Sequence, residues 1–136
     1  MFDLLEHAAD TGFRVRGSTK AELFANAALA LQAVALDPSD VRPLQAFPLA
    51  VTGEDDASLL VNWLSEVLYH LDGPRVVFCR FHIDEITSTL VRAQAWGEPR
   101  DPARHPARLV VKGVTYHQIK IEKDAQGWRA EVFLDI

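Results

Sequence analysis

Between Gly53 and Pro74 the chain carries a one-sided apolar stripe, and this stripe constrains everything that can be built around it. Gly53-Glu54-Asp55-Asp56 opens the segment and places acids where the positive end of a helix would lie. Leu60, Trp63, Leu64, Val67, Leu68 and Leu71 then recur at three- and four-residue steps, and Gly73-Pro74 stops the run. Such a helix has to press its stripe against another layer. A second helix starts at Thr19, which is followed three residues later by Glu22 in the capping-box spacing. Phe24, Ala27, Ala28, Leu31 and Val34 give it one apolar face, and Asp37-Pro38 ends it.

The rest alternates as half-buried strands do. Residues 2–17 read as one or two strands with a turn near Asp10 to Gly12. Phe13 and Val15 share one phase; Asp10, Arg14 and Arg16 share the other. The final segment places Trp128, Ala130, Val132 and Leu134 on one side and Asp135 on the opposite side. Residues 45–52 read as a strand, and Pro48 marks it as an edge. Residues 75–86 and 88–97 form two more, joined by a turn near Thr87. Residues 108–122 are strand-like with a break at Gly113, and Asp124-Ala125-Gln126-Gly127 turns the last strand back onto 118–123. The order β, α, β, α, then several β defines an α+β fold: a single domain over 1–136, with antiparallel β-sheets packed with two α-helices.

At 136 residues such a domain buries enough surface to need no disulfide or metal staple. Cys79 is the only cysteine, which excludes an internal disulfide or a thiolate-rich zinc site and points to a reducing, cytoplasmic setting. The first ten residues carry Asp3, Glu6 and Asp10 in place of a secretory signal, and no apolar run is long enough to span a bilayer. A net charge of −5 leaves room for local basic patches but gives the whole molecule no general attraction for nucleic acid, so if it works near RNA a partner does most of the RNA binding.

Several residues carry candidate chemistry. Asp10 and Asp135 lie on the polar phases of the first and last strand regions, and the Ile136 carboxylate follows Asp135 directly. Were those strands neighbours, their oxygens would suit a hard ion, calcium, magnesium or manganese. The alternative is two solvated surface acids, because strand phase does not establish strand adjacency. His7, His70, His82, His105 and His117 show no metal-binding spacing. His70 reads as a charge partner for a helix C-terminus, and His117 stands near Lys112. The proline-spaced loop 97–106 gathers Glu98, Arg100, Asp101, Arg104 and His105, either as a functional loop or as a stiffened connection. Cys79 lies in an apolar strand, where cysteines are inert. No phosphate-binding glycine loop or G-x-S-x-G motif is present.

Glu6-His7-Ala8-Ala9-Asp10-Thr11-Gly12-Phe13, Leu60-Val61-Asn62-Trp63-Leu64-Ser65-Glu66-Val67-Leu68-Tyr69, Gly97-Glu98-Pro99-Arg100-Asp101, Lys112-Gly113-Val114-Thr115-Tyr116-His117 and the terminal Asp135-Ile136 together resemble the archease family, over essentially the whole chain. The resemblance implies an accessory protein, not itself an enzyme, of the GTP-dependent RNA-splicing ligase. That ligase joins RNA ends bearing a 3′-phosphate or 2′,3′-cyclic phosphate to 5′-hydroxyl ends in tRNA splicing and RNA repair. The accessory protein promotes guanylylation of the ligase's active-site histidine and multiple turnover, and it meets RNA only through the ligase. The resemblance maps a divalent metal site, calcium first, onto Asp10, Asp135 and Ile136, and an essential lysine onto Lys112. Docking candidates are Glu98, Asp101, His105 and His117. The family commonly has Thr at the position of Ala8 and Ala at that of Gly113; Gly113 loosens the backbone beside Lys112.

Two other readings use the same residues. A metal-dependent phosphohydrolase would turn over phosphate esters unaided, but no water-activating base or second ligand set is evident. A general chaperone or interaction module would be indifferent to metal.

Overall fold

The structure, a computed structural model, describes residues 2–6 and 11–136. Its elements are β1 (Phe2–Glu6), β2 (Thr11–Gly17), α1 (Lys20–Ala35), β3 (Gln45–Thr52), α2 (Asp56–Asp72), β4 (Val76–Ile86), β5 (Leu90–Pro99), β6 (Gly113–Asp124) and β7 (Gly127–Asp135).

Side-chain caps fix both helix starts. Thr19 Oγ1 accepts the Glu22 N–H at 3.1 Å. The Glu22 carboxylate reaches past Thr19 to the Ser18 N–H and hydroxyl, so the reciprocal half of the expected box lands one residue earlier. At α2, Asp55 accepts the Ser58 N–H at 2.8 Å and the Ser58 hydroxyl oxygen accepts the Asp55 N–H at 3.1 Å, a closed capping box.

All strand pairs are antiparallel, in two sheets ordered β1-β2-β7-β6 and β3-β5-β4. Pro48 lies on the edge strand β3, as its missing N–H requires. Helix α1 packs on β2 and on β4, α2 packs on β6 and on β3, and among the described residues no strand of one sheet packs on a strand of the other. The helices therefore form a middle layer between the sheets. That layering explains α1, which is buried well beyond its expected face: Leu23, Ala30, Gln32, Ala33 and Ala35 are inside as well. Trp63 is fully buried and donates its indole N–H to the Phe24 carbonyl at 2.9 Å, tying α2 to α1. The strands turn Phe13, Val15, Val91, Ala93, Ala130, Val132 and Leu134 into the same core.

Two expected boundaries move. Glu98 and Pro99 belong to β5, so the loop starts only at Arg100. Residues 108–112 form no strand, although their composition suits one. Their backbone is used elsewhere: the Arg108 N–H donates to the Ala35 carbonyl at the end of α1, and the Lys112 N–H to the Asp135 carbonyl.

Candidate functional site

Strand β7 lies between β2 and β6, and its last residues are held from both sides. Toward β2, Gly12 pairs with Phe133 and Thr11 with Leu134. A side chain at Gly12 would strike the Val132 carbonyl at 2.2 Å, so this pairing needs glycine there. Toward β6, Val114 pairs with Leu134 and Gly113 with Asp135, and the Lys112 N–H donates to the Asp135 carbonyl at 2.7 Å. The backbone of Asp135 is thus clamped while its side chain stays exposed. Lys112 is exposed as well, and neither side chain has an ion-pair or hydrogen-bond partner among the described residues. Ile136 is 44 % exposed. Asp10 lies outside the described residues; Thr11, to which it is bonded, is the residue facing Leu134. Among the described residues no group of three or more His, Cys, Asp and Glu could hold a metal ion. The donors that the Asp135 side chain offers are carboxylate oxygens, the chemistry of a hard cation. At Gly113 an added Cβ would meet nothing within 4 Å, so glycine there answers no steric demand.

His117 is exposed on β6, where the pairing with β7 slips between Thr115 and Lys120. Its N–H donates to Thr115 Oγ1 at 2.9 Å, and the next residue, Gln118, has φ of 53°. The bulge turns Tyr116 and His117 out of the regular ladder.

The other candidates form a second cluster, with a largely internal role. Glu98 and His105 are each only 2 % exposed. Glu98 accepts from Arg104 Nη1 at 2.7 Å and Nη2 at 3.0 Å, from the Arg42 N–H at 2.7 Å, and from the Arg42 guanidinium at 3.0 and 3.1 Å. Arg104, first, and then Arg42 hold its carboxyl far below the usual carboxylate range, against the opposing effect of burial. The Asp101 N–H donates to His105 Nδ1 at 3.0 Å, so that nitrogen carries no proton. His105 is therefore the neutral Nε2–H tautomer, and this N–H is shared between the Asp40 carbonyl at 3.0 Å and Glu98 at 3.2 Å. Asp101 is half-buried, its carboxylate closing a turn onto the Ala103 N–H. Sequence reasoning singled out this loop but not Arg42 and Asp40, which brace it from the connection after α1; only the tertiary fold brings them near.

Cys79 is half-buried with its thiol on the Trp96 carbonyl, and burial pushes its pKa up, away from nucleophilic chemistry. His70 Nδ1 lies 3.0 Å from the Glu66 carbonyl within the last turn of α2, the place expected for a cation-capable side chain.

Two antiparallel sheets enclosing a helical layer, with β7 inside one sheet, define the class: a single-domain α+β protein with Asp135 and Ile136 exposed at the end of that strand. The chain belongs to the Archease protein family (MTH1598/TM1083), whose sequence profile matches residues 2–136. It is 41% identical over 139 residues to protein archease of Methanosarcina acetivorans, covering 99% of this chain and 95% of that one. It is 38% identical to protein archease of Sulfurisphaera tokodaii, covering 99% and 98%. The solution structure of Methanobacterium thermoautotrophicum protein 1598 superposes with a TM-score of 0.80 at 34% identity, covering 99% of this chain and 98% of that one.

Proposed function

We propose that this protein is the accessory factor of a GTP-dependent RNA-splicing ligase in the cytoplasm, and that it promotes guanylylation of the ligase's histidine and its repeated turnover. Family membership supports an accessory role in tRNA splicing; a role in RNA repair is part of the proposal. The observation that carries the mechanistic part is the Lys112–Asp135 backbone bond, with neither side chain engaged elsewhere among the described residues. It sets an ammonium-bearing residue beside a carboxylate-bearing one at the tip of the central strand. Asp10, Asp135 and the carboxylate at Ile136 are the proposed donors, and their all-oxygen character fits calcium, magnesium or manganese. When bound, such an ion supplies positive charge to phosphate oxygens. Lys112 adds a second positive charge aimed at the nucleotide as the guanylyl group transfers. The ligase contributes the nucleophile, and RNA is met through the ligase. Among the docking candidates, exposed His117 and half-buried Asp101 present groups to a partner, while Glu98 and His105 keep the loop in shape.

Single-turnover guanylylation of the ligase tests this. Asp10→Ala, Asp135→Ala and Lys112→Ala should each slow the step by roughly a hundredfold, the scale seen for loss of one transition-state charge contact. Wild-type rates from all three would end the proposal. Calorimetry with the three cations should show binding that Asp135→Ala abolishes. Turnover of phosphate esters by the protein alone would favour a hydrolase instead.

A further inference from the structure

Seven large apolar side chains are exposed among the described residues, and four of them gather around one point. These are Leu109, Val110, Tyr116 and Ile136, and the point is the bond from the Lys112 N–H to the Asp135 carbonyl. That carbonyl belongs to the peptide joining Asp135 to Ile136, so Lys112 and Ile136 are neighbours. Val110 lies two residues before Lys112, within about 7 Å of it at ~3.3 Å per residue. Thr115, which precedes Tyr116, pairs with Phe133, two residues along β7 from Asp135. Single exposed apolar residues are ordinary on a protein surface; a group of them marks a contact surface.

The fold holds this group in place. The segment before β6 is pinned at both ends. The Arg108 N–H donates to the Ala35 carbonyl at 2.9 Å and Arg108 Nη1 to the Ala33 carbonyl at 2.8 Å; four residues on, the Lys112 N–H donates to Asp135 at 2.7 Å. Between these ties Val111 is buried in the core, while Val110 before it, 79 % exposed, and Lys112 after it are left in solvent. Tyr116 is turned out by the bulge of β6, where the Thr115 hydroxyl oxygen accepts the His117 N–H. Apolar side chains carried on a fixed backbone cost little ordering when they bind, which is what an interface anchor requires.

Charge narrows the partner. From 109 to 119 the chain has no aspartate or glutamate and a single lysine, in a molecule of net charge −5. The patch is an apolar collar with a cation inside it. Asp135, the acid at its border, is the residue proposed above to hold a divalent cation. Covering the collar takes water away from the Lys112 ammonium, and a desolvated cation has to be answered by an anion on the covering surface. The matching surface is therefore an apolar lip around an anionic centre.

We infer that Leu109, Val110, Tyr116 and the Ile136 side chain seat on an apolar lip around the ligase's nucleotide pocket and supply the affinity of the complex, with Lys112 facing the phosphates inside. This rests on the accessory reading above and adds to it the surface by which the two proteins hold together. Collar and charge do separable work. The apolar contacts set how tightly the complex forms; Lys112 sets how fast the guanylyl group moves within it.

The test reads binding and rate separately, with the purified ligase and GTP. The full chain is titrated against the ligase for a dissociation constant, and guanylylation is followed at rising concentrations of the accessory protein. The double variant Leu109→Ser/Val110→Ser and the single variant Tyr116→Ala should each weaken binding about tenfold or more, the scale of an anchor residue. The half-saturating concentration should rise in step, with the rate at saturation kept. Lys112→Ala should do the reverse, lowering the saturated rate with little change in affinity. Arg92→Ser, which truncates an exposed side chain on the other sheet, should bind as wild type. Unchanged affinity in both collar variants, an equal loss in Arg92→Ser, or a saturated rate that falls while affinity holds would overturn the inference and leave the accessory role standing. So would size-exclusion chromatography showing a dimeric wild type and monomeric collar variants, which would assign the patch to a second copy of this chain. No binding of the ligase by wild type would end the accessory reading and this inference with it.

Discussion

At Glu98 the fold has placed a charge almost out of reach of water and answered it with two arginines and a neutral histidine. A buried carboxylate is tolerable only while those partners remain. Glu98→Gln keeps the shape but removes the charge, leaving Arg104 with half its anionic partners; Asp40 still holds it from the other side at 3.1 Å. The expected loss is about 3 kcal/mol, read from the urea midpoint near neutral pH. The pH dependence has a definite sign. The folded carboxyl is held far below its unfolded value of about 4.3, so its contribution is complete above that pH and is lost progressively as acid is added. Glu131, lowered chiefly by Arg14, acts in the same direction. Wild-type stability should therefore fall below about pH 4.3, and the fall should be shallower in Glu98→Gln. A variant with the same acid limb as wild type would show that this carboxylate does not govern it. Glu98 was recognisable in the sequence as a charged residue among prolines. Its burial was not, because the arginine it needs from the other side, Arg42, lies far away in the chain.

At the scale of elements, local signals were legible and non-local ones were not. Thr19, Asp55, Pro38 and Pro74 punctuate the helices because caps and proline act over a few residues. The phases of β2 and β7 followed from period-two alternation, and Asp135 falls on the polar phase it was assigned. What could not be read was Gln32. In a helix expected to bury only one stripe, a glutamine looks like surface. Sandwiched between sheets, it is fully buried and bonds both ways to the backbone of Phe78: Gln32 Nε2 donates to the Phe78 carbonyl at 2.8 Å, and the Phe78 N–H donates to Gln32 Oε1 at 2.7 Å. The register of β4 against β5 slips just there, between Phe78 and Arg80. The side chain acts as a one-residue neighbour for an edge strand at its bulge. Gln32→Met preserves length and volume but strands two buried backbone groups. It should cost roughly 2–4 kcal/mol in a urea titration, since each unsatisfied buried group costs about 1–3 kcal/mol. A loss under 1 kcal/mol would mean that water or a backbone shift replaces the amide. The candidate site was legible to a similar degree: strand phase nominated Asp135 and the family resemblance nominated Lys112, but the 2.7 Å bond joining their backbones depends on residues 108–112 leaving strand geometry.

For the molecule as a whole, the question is whether two sheets that do not touch can belong to one cooperative unit. One continuous cluster runs from Phe13 and Val132 in the first sheet, through Leu31 and Trp63 in the helices, to Val77 and Ala93 in the second. Among the described residues no strand of one sheet packs on a strand of the other, so each depends on the helical layer and, through it, on the other. A core joined in this way should unfold in one step. The sequence supplies its own reporters, because the three tryptophans fall one to a layer: Trp128 on β7, Trp63 on α2 and Trp96 on β5. Variants retaining a single tryptophan, with the other two changed to phenylalanine, should each give a fluorescence transition in urea that coincides with the far-ultraviolet circular-dichroism transition of the same variant. Comparison within each variant removes the differing costs of substitution, which will be largest where Trp63 loses its bond to Phe24. If the Trp96 signal moves at lower urea than the dichroism, the three-stranded sheet detaches first, and the helical layer is anchored mainly to the sheet that carries Asp135.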